Sequence, residues 1–186
     1  MRTQPPFSPY RYWDWALYAD LPEVVATQQQ VTLETPQGVQ TIPNPLYSYG
    51  FHPMYQDFGE GLSNEAQWEA WLSTYRWPTT TDKNAQSNST AMESDLDNNK
   101  LTLRDRTYNL LTQATTYEAF SEDGYLGPQT DPKWYESLES IHNMIHGMTG
   151  SNGHMGVVDF AAFDPVFWLH HCNVSLGAVT LRNGLY

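Results

Sequence analysis

Two histidines four residues apart, His142 and His146, lie in the segment Ile141-His142-Asn143-Met144-Ile145-His146. On a helix that spacing projects both rings from one face. Neutral imidazoles paired in this way suit a transition-metal ion, although the spacing alone also fits ordinary surface or core histidines. The zinc-protease pattern has the same histidine spacing but places a glutamate directly after the first; here that position is Asn143. The general base of that chemistry is missing, so a hydrolytic zinc site is disfavoured. A second source of imidazoles is His170-His171, set among Phe163, Phe167, Trp168 and Leu169. Neighbours on a helix diverge by about a hundred degrees, so at most one of these two faces the ion that the first pair would hold. The pattern does not say which; the other needs a partner, because unpaired buried polar groups are costly. Glu139, one turn before His142, either steers an imidazole N–H or is an exposed helix carboxylate.

Helices must position these groups. Asp131-Pro132 predicts a helix start, with Asp131 as N-cap and Pro132 at the first helical position. Trp134, Leu138, Ile141 and Ile145 then form a buried stripe, with His142 and His146 on the adjacent face beside Tyr135 and Glu139. Glycines end this helix near 147 or 150 and continue through a loop at 150–156. Asp164-Pro165 lies near the start of a second buried helix over 163–173. Upstream, 64–76 reads as a helix with Asn64 and Gln67 in capping-box spacing and Trp68, Trp71 and Leu72 on one face, ended by Trp77-Pro78. The polar stretch 79–99 reads as a surface loop; within it Asn88-Ser89-Thr90 is a formal glycosylation site that chance explains. Residues 101–112 read as a helix through Leu103, Tyr108, Leu110 and Leu111, with a helical turn at 117–120. Residues 1–60, rich in Pro, Tyr and Gly, read as irregular with an occasional short strand such as Val31-Thr32-Leu33. The expected fold is mainly α, a partial helical bundle with long irregular loops and few short strands.

The bulk composition narrows the partners. The 186 residues carry a formal net charge of −12 with only nine Lys plus Arg, which argues against nucleic acid and against a basic membrane-surface role. Seven Trp and twelve Tyr argue for a packed core or an aromatic-lined pocket. The single cysteine, Cys172, allows no intrachain disulfide; it reads as a small buried residue. No stretch approaches the apolar length of a membrane span, and residues 1–8 lack an apolar leader core. The compartment stays open.

The 141–146 segment, the Gly153-His154-Met155 loop and the run Phe163-Asp164-Pro165-Val166-Phe167-Trp168-Leu169-His170-His171-Cys172-Asn173-Val174 together resemble the second-copper region of tyrosinases. Tyr12-Trp13-Asp14-Trp15 resembles the segment that follows the first-copper helices in that family, and Ile42-Pro43-Asn44-Pro45-Leu46-Tyr47 looks like its longer fungal members. The resemblance implies a type-3 copper centre, a coupled pair of coppers each held by three His. It implies an oxidoreductase of the tyrosinase or catechol oxidase type, a monooxygenase that uses dioxygen on phenolic substrates. Monophenols are hydroxylated and o-diphenols oxidised to o-quinones. It assigns His142, His146 and His171 to the second copper and puts His170 behind them. Phe167 would pack against a ligand ring, and Asn143 would help orient a water that deprotonates the phenol. His154 would be structural within its loop; His52 has no identifiable partner.

In the family the first three copper-binding His precede the Tyr-Trp-Asp-Trp segment, and here no His precedes Trp13. The expectation is therefore one partial copper-binding domain over 1–174, holding at most one copper and inactive by itself. Residues 175–186 read as a divergent C-terminal tail, open to a non-native origin. The alternative is a non-catalytic mononuclear metal-binding fragment.

Overall fold

The computed structural model describes residues 12–52, 65–124 and 136–184. The chain is mainly helical. In order come α1 (Glu23–Ala26), β1 (Gln30–Thr35), β2 (Gly38–Pro43), α2 (Glu65–Ala70), α3 (Ser89–Gln113), α4 (Tyr117–Ser121), α5 (Leu138–Gly150), α6 (Val158–Ala161) and α7 (Pro165–Gly184). The strands form one antiparallel hairpin with Val31 opposite Ile42, which carries the expected strand at 31–33. The metal-candidate helices α5 and α7 pack on each other, and α5 also packs on α3. Between them lies the core: Met92, Leu96, Leu103 and Leu110 from α3, Ile141 and Ile145 from α5, Val166 from α7, and Trp13 and Trp15 from the N-terminal segment.

Several boundaries differ from the sequence expectation. Helix α5 begins at Leu138, not at 131, because Ser137 in extended conformation caps it, its hydroxyl accepting from the Ser140 N–H at 2.9 Å. Asp131, Pro132 and Trp134 lie outside the described residues. Helix α3 begins twelve residues before position 101, so the second half of the expected 79–99 loop is helical. The Asn88 side chain caps it, accepting from the Ala91 N–H at 3.1 Å. Its buried positions 92, 96, 103 and 110 recur at steps of four and seven, a stripe narrow enough for polar neighbours to hide. Of the residues that predict the 101–112 helix, Leu103 and Leu110 are buried, while Tyr108 and Leu111 are exposed. Helix α2 ends at Ala70 and leaves Leu72 exposed while Trp68 and Trp71 are buried. Asn64 lies outside the described residues, and the Gln67 side chain donates to the Asn152 carbonyl at 2.9 Å. Helix α7 runs on past position 173 to Gly184, with no proline to stop it.

A buried ion pair ties the two halves of the chain together. The Arg76 guanidinium donates to both carboxylate oxygens of Asp164, at 2.6 Å and 2.8 Å, and to the carbonyls of Val25 (2.7 Å) and Tyr47 (3.1 Å). Asp164 also accepts from the Val166 N–H at 3.0 Å, which caps the start of α7. On the other side of α5, Arg106 of α3 clasps Glu136, the Ser140 hydroxyl and the Met144 sulfur. The glycine-rich loop after α5 is a close crossing of backbones. A Cβ at Gly153 would collide with the Tyr75 carbonyl, and one at Gly150 with the Gly156 backbone. No helix among the described residues is long and apolar enough to cross a membrane.

Candidate metal centre

The ring nitrogens of His142 and His146, one turn apart on α5, meet that of His171 from α7. The three Nε2 atoms lie 3.0 Å (142 to 146), 3.2 Å (142 to 171) and 3.2 Å (146 to 171) apart. The tautomers follow from the opposite edges of two rings. His146 Nδ1–H donates to the Met155 carbonyl at 2.7 Å, and His142 Nδ1–H to Asn143 Oδ1 at 3.0 Å. An oxygen of that kind can only accept, so each Nδ1 carries the ring's proton and each Nε2 presents a bare lone pair. Lone pairs facing one another at hydrogen-bond distance repel unless a cation sits among them. The point equidistant from the three nitrogens lies about 1.8 Å from each, close to the roughly 2.0 Å of a metal–imidazole bond. The donor set therefore fits a transition-metal ion such as copper.

At His146 and His171 burial works against protonation near neutral pH. Burial, with the neighbouring His142 and His146 rings, pushes the His171 pKa down to about 4. Burial, reinforced by His142, also lowers that of His146, against the opposing Met155 hydrogen bond. Neutral imidazole is the form that binds metal. Phe167 lies flat against His171, with centroids 3.9 Å apart and planes 28° from parallel.

His170, left open by the sequence pattern, is fully buried. It belongs to the same cluster: one ring nitrogen from each of the four His lies within 4.8 Å of the others. Both of its nitrogens lack a hydrogen-bond partner among the described residues. Glu139 does not steer a ring; it is exposed and accepts from the Asp123 N–H at 2.8 Å. Cys172 is exposed rather than buried. Sequence reasoning missed Arg76 and, though it used Trp15 as part of a motif, missed that Trp15 lies beside His170; the one available signal for Arg76 was a lone cation between aromatics in an acidic chain.

His154 is buried in an aromatic pocket of Phe51, Trp68, Trp71 and Phe160. It caps backbone, though of residue 75 rather than of its own loop. Its Nδ1 accepts from the Tyr75 N–H at 3.0 Å and its own N–H donates to the Tyr75 carbonyl at 3.1 Å. Burial pushes its pKa from 6.5 down to about 4. The unfolded chain then binds a proton between those values that the folded chain refuses, so stability falls as pH drops from 6.5 to 4 and levels off below. The contribution is about 3 kcal/mol. Denaturant unfolding at stepped pH should show a slope over this window that is clearly shallower in His154→Gln; equal slopes would contradict the assignment.

Fold and centre together define a helix-scaffolded site built wholly of imidazoles. The profile of the common central domain of tyrosinase matches residues 8–176. Polyphenol oxidase 4 of Agaricus bisporus is 36% identical over 167 residues, covering 88% of this chain and 26% of that protein. Tyrosinase of Neurospora crassa is 34% identical over 168 residues, covering 88% and 24%. Recombinant mushroom tyrosinase superposes with a TM-score of 0.78 at 35% identity, covering 92% of this chain and 30% of that one. Apo-protyrosinase of Aspergillus oryzae does so at 0.73 and 25% identity, covering 94% and 39%.

The chain belongs to the tyrosinase family, whose members are copper oxidoreductases. It spans about a quarter of the length of these curated relatives.

Proposed function

We propose that this chain forms the second-copper part of a type-3 copper oxidase acting on phenols with dioxygen, and that His142, His146 and His171 hold one copper ion through Nε2. Monophenol hydroxylation and o-diphenol oxidation to o-quinones are the reactions of the whole protein. The observation that carries the reading is the convergence of the three Nε2 atoms with two of the rings locked by Nδ1–H hydrogen bonds. Bound copper supplies the redox chemistry. The protein's own groups set its surroundings. The Met155 carbonyl and Asn143 hold the tautomers of His146 and His142. Phe167 fixes the plane of His171 from one side. Asn143 is exposed at the rim of the centre, the place from which it would orient a water that takes the phenolic proton.

The six histidines supply one such trio. His52 is exposed and His154 is enclosed in its own aromatic pocket. The purified 186-residue polypeptide should bind one copper and form negligible o-quinone from a catechol. Metal analysis after dialysis and a quinone assay check this; two coppers with strong copper-dependent turnover would overturn it.

A further inference from the structure

Trp15 and His170 are buried side by side, 3% and 0% exposed, with ring centroids 6.3 Å apart. Trp15 Nε1 and both His170 ring nitrogens have no hydrogen-bond partner among the described residues. Of the five buried side-chain atoms in that condition, three belong to this pair, so the unmet polarity is concentrated behind the metal centre. Each such atom costs about 1–3 kcal/mol if left alone. Protein interiors meet such costs with ordered water bonded to two to four buried polar groups. The chemistry here is complementary to a bridging water: the indole offers an N–H, and the His170 nitrogen that faces the water offers an N–H or a lone pair, the other ring nitrogen pointing away from it.

His170 touches every member of the trio. It stacks on His142 at 5.1 Å and 18°, and meets His146 and His171 edge-on at 4.9 Å and 5.0 Å. The segment carrying Trp15 is pinned beside it, because the Trp13 N–H donates to the Leu169 carbonyl at 3.1 Å. A phenyl ring would give the same ring contacts without burying two polar atoms, so the nitrogens require a use.

We infer that Trp15 and His170 enclose one ordered water, and that this bridge makes His170 a positioning residue which holds the three imidazoles in place for metal. The inference rests on the metal reading above. It couples the Trp13–Trp15 segment to copper affinity.

The test has two arms. In the first, Cu(II) is titrated into the 186-residue chain and into His170→Phe, which keeps the ring contacts, and Trp15→Phe, which removes the N–H. Each substitution should weaken binding by about ten- to a hundredfold and shift the Cu(II) electron paramagnetic resonance spectrum. The double variant should be no weaker than the worse single one, because both remove the same bridge. Wild-type affinity and spectrum in His170→Phe would overturn the inference, as would additive losses in the double variant. A wild-type pulsed spectrum counting four coordinating imidazoles would also overturn it, by making His170 a ligand. The second arm needs neither copper nor a variant. A crystal structure of the chain should show one water oxygen within hydrogen-bond distance of Trp15 Nε1 and a His170 nitrogen, and a dry contact there rules the bridge out. Failure of the wild type to bind Cu(II) would sink the metal reading and leave the water to the second arm.

Discussion

Replacing His171 with alanine is expected to abolish specific Cu(II) binding, a loss larger than the ten- to hundredfold typical of removing a group behind the ligands. His171 is the ligand candidate from α7; the other two come from α5, so only His171 makes the site bridge two helices. Without it, His142 and His146 offer two nitrogens 3.0 Å apart, and a two-imidazole site on one helix face binds far less tightly. The readout is linkage. A ligand that binds only the folded chain stabilises it by about 4 kcal/mol at a thousandfold excess over Kd. Thermal unfolding of the wild type should therefore move up on adding Cu(II), while His171→Ala should unfold at one temperature with or without it. His52→Ala, an exposed histidine outside the cluster, should respond as the wild type does. A wild-type shift in His171→Ala would take this residue out of the centre.

The sequence carried the centre further than it carried the scaffold, for physical reasons. A spacing of four on a helix is a local fact, so the meeting of His142 and His146 was legible. Choosing between His170 and His171 was not. Adjacent residues point about a hundred degrees apart, and only the packing of α7 on α5 decides which ring turns toward the pair. Family resemblance chose His171, and its Nε2 lies 3.2 Å from both of the others. The resemblance put His170 behind the ligands without indicating that its ring contacts all three. The start of α5 was misread because Asp131-Pro132 carries stronger helix-start chemistry than Ser137. The cap belongs to Ser137 because the chain is extended there and its hydroxyl reaches the Ser140 N–H. Helix α3 was half hidden because its long polar face dominates the composition while four residues at steps of four and seven do the packing. The Arg76–Asp164 pair spans 88 residues, a separation at which no local pattern speaks.

Arg76→Leu should destabilise the chain by about 3–5 kcal/mol, the usual cost of leaving one member of a buried ion pair alone. Domains of this size have total stabilities of about 5–15 kcal/mol, so the variant should lie near the edge of folding. The side chains of Arg76 and Asp164 are 5% and 1% exposed, so water cannot replace the lost partner. The substitution also takes donors from the Val25 and Tyr47 carbonyls. Arg76→Lys should recover little, since an ammonium cannot meet two carboxylate oxygens and two carbonyls with one planar fork. Adding Asp164→Asn to Arg76→Leu should restore part of the loss. The amide removes the stranded charge and can still accept from the Val166 N–H at the start of α7. Denaturant midpoints of the two single variants and the double variant form a cycle, and the double variant should be less damaged than the sum of the singles. The consequence for the centre follows from position. Asp164 sits immediately before Pro165, where α7 begins, and α7 carries His171. Releasing that end should therefore weaken Cu(II) binding even in the fraction of Arg76→Leu that stays folded. Strict additivity, or a single-variant loss below about 1 kcal/mol, would mean that the pair is solvated in a way its burial does not suggest.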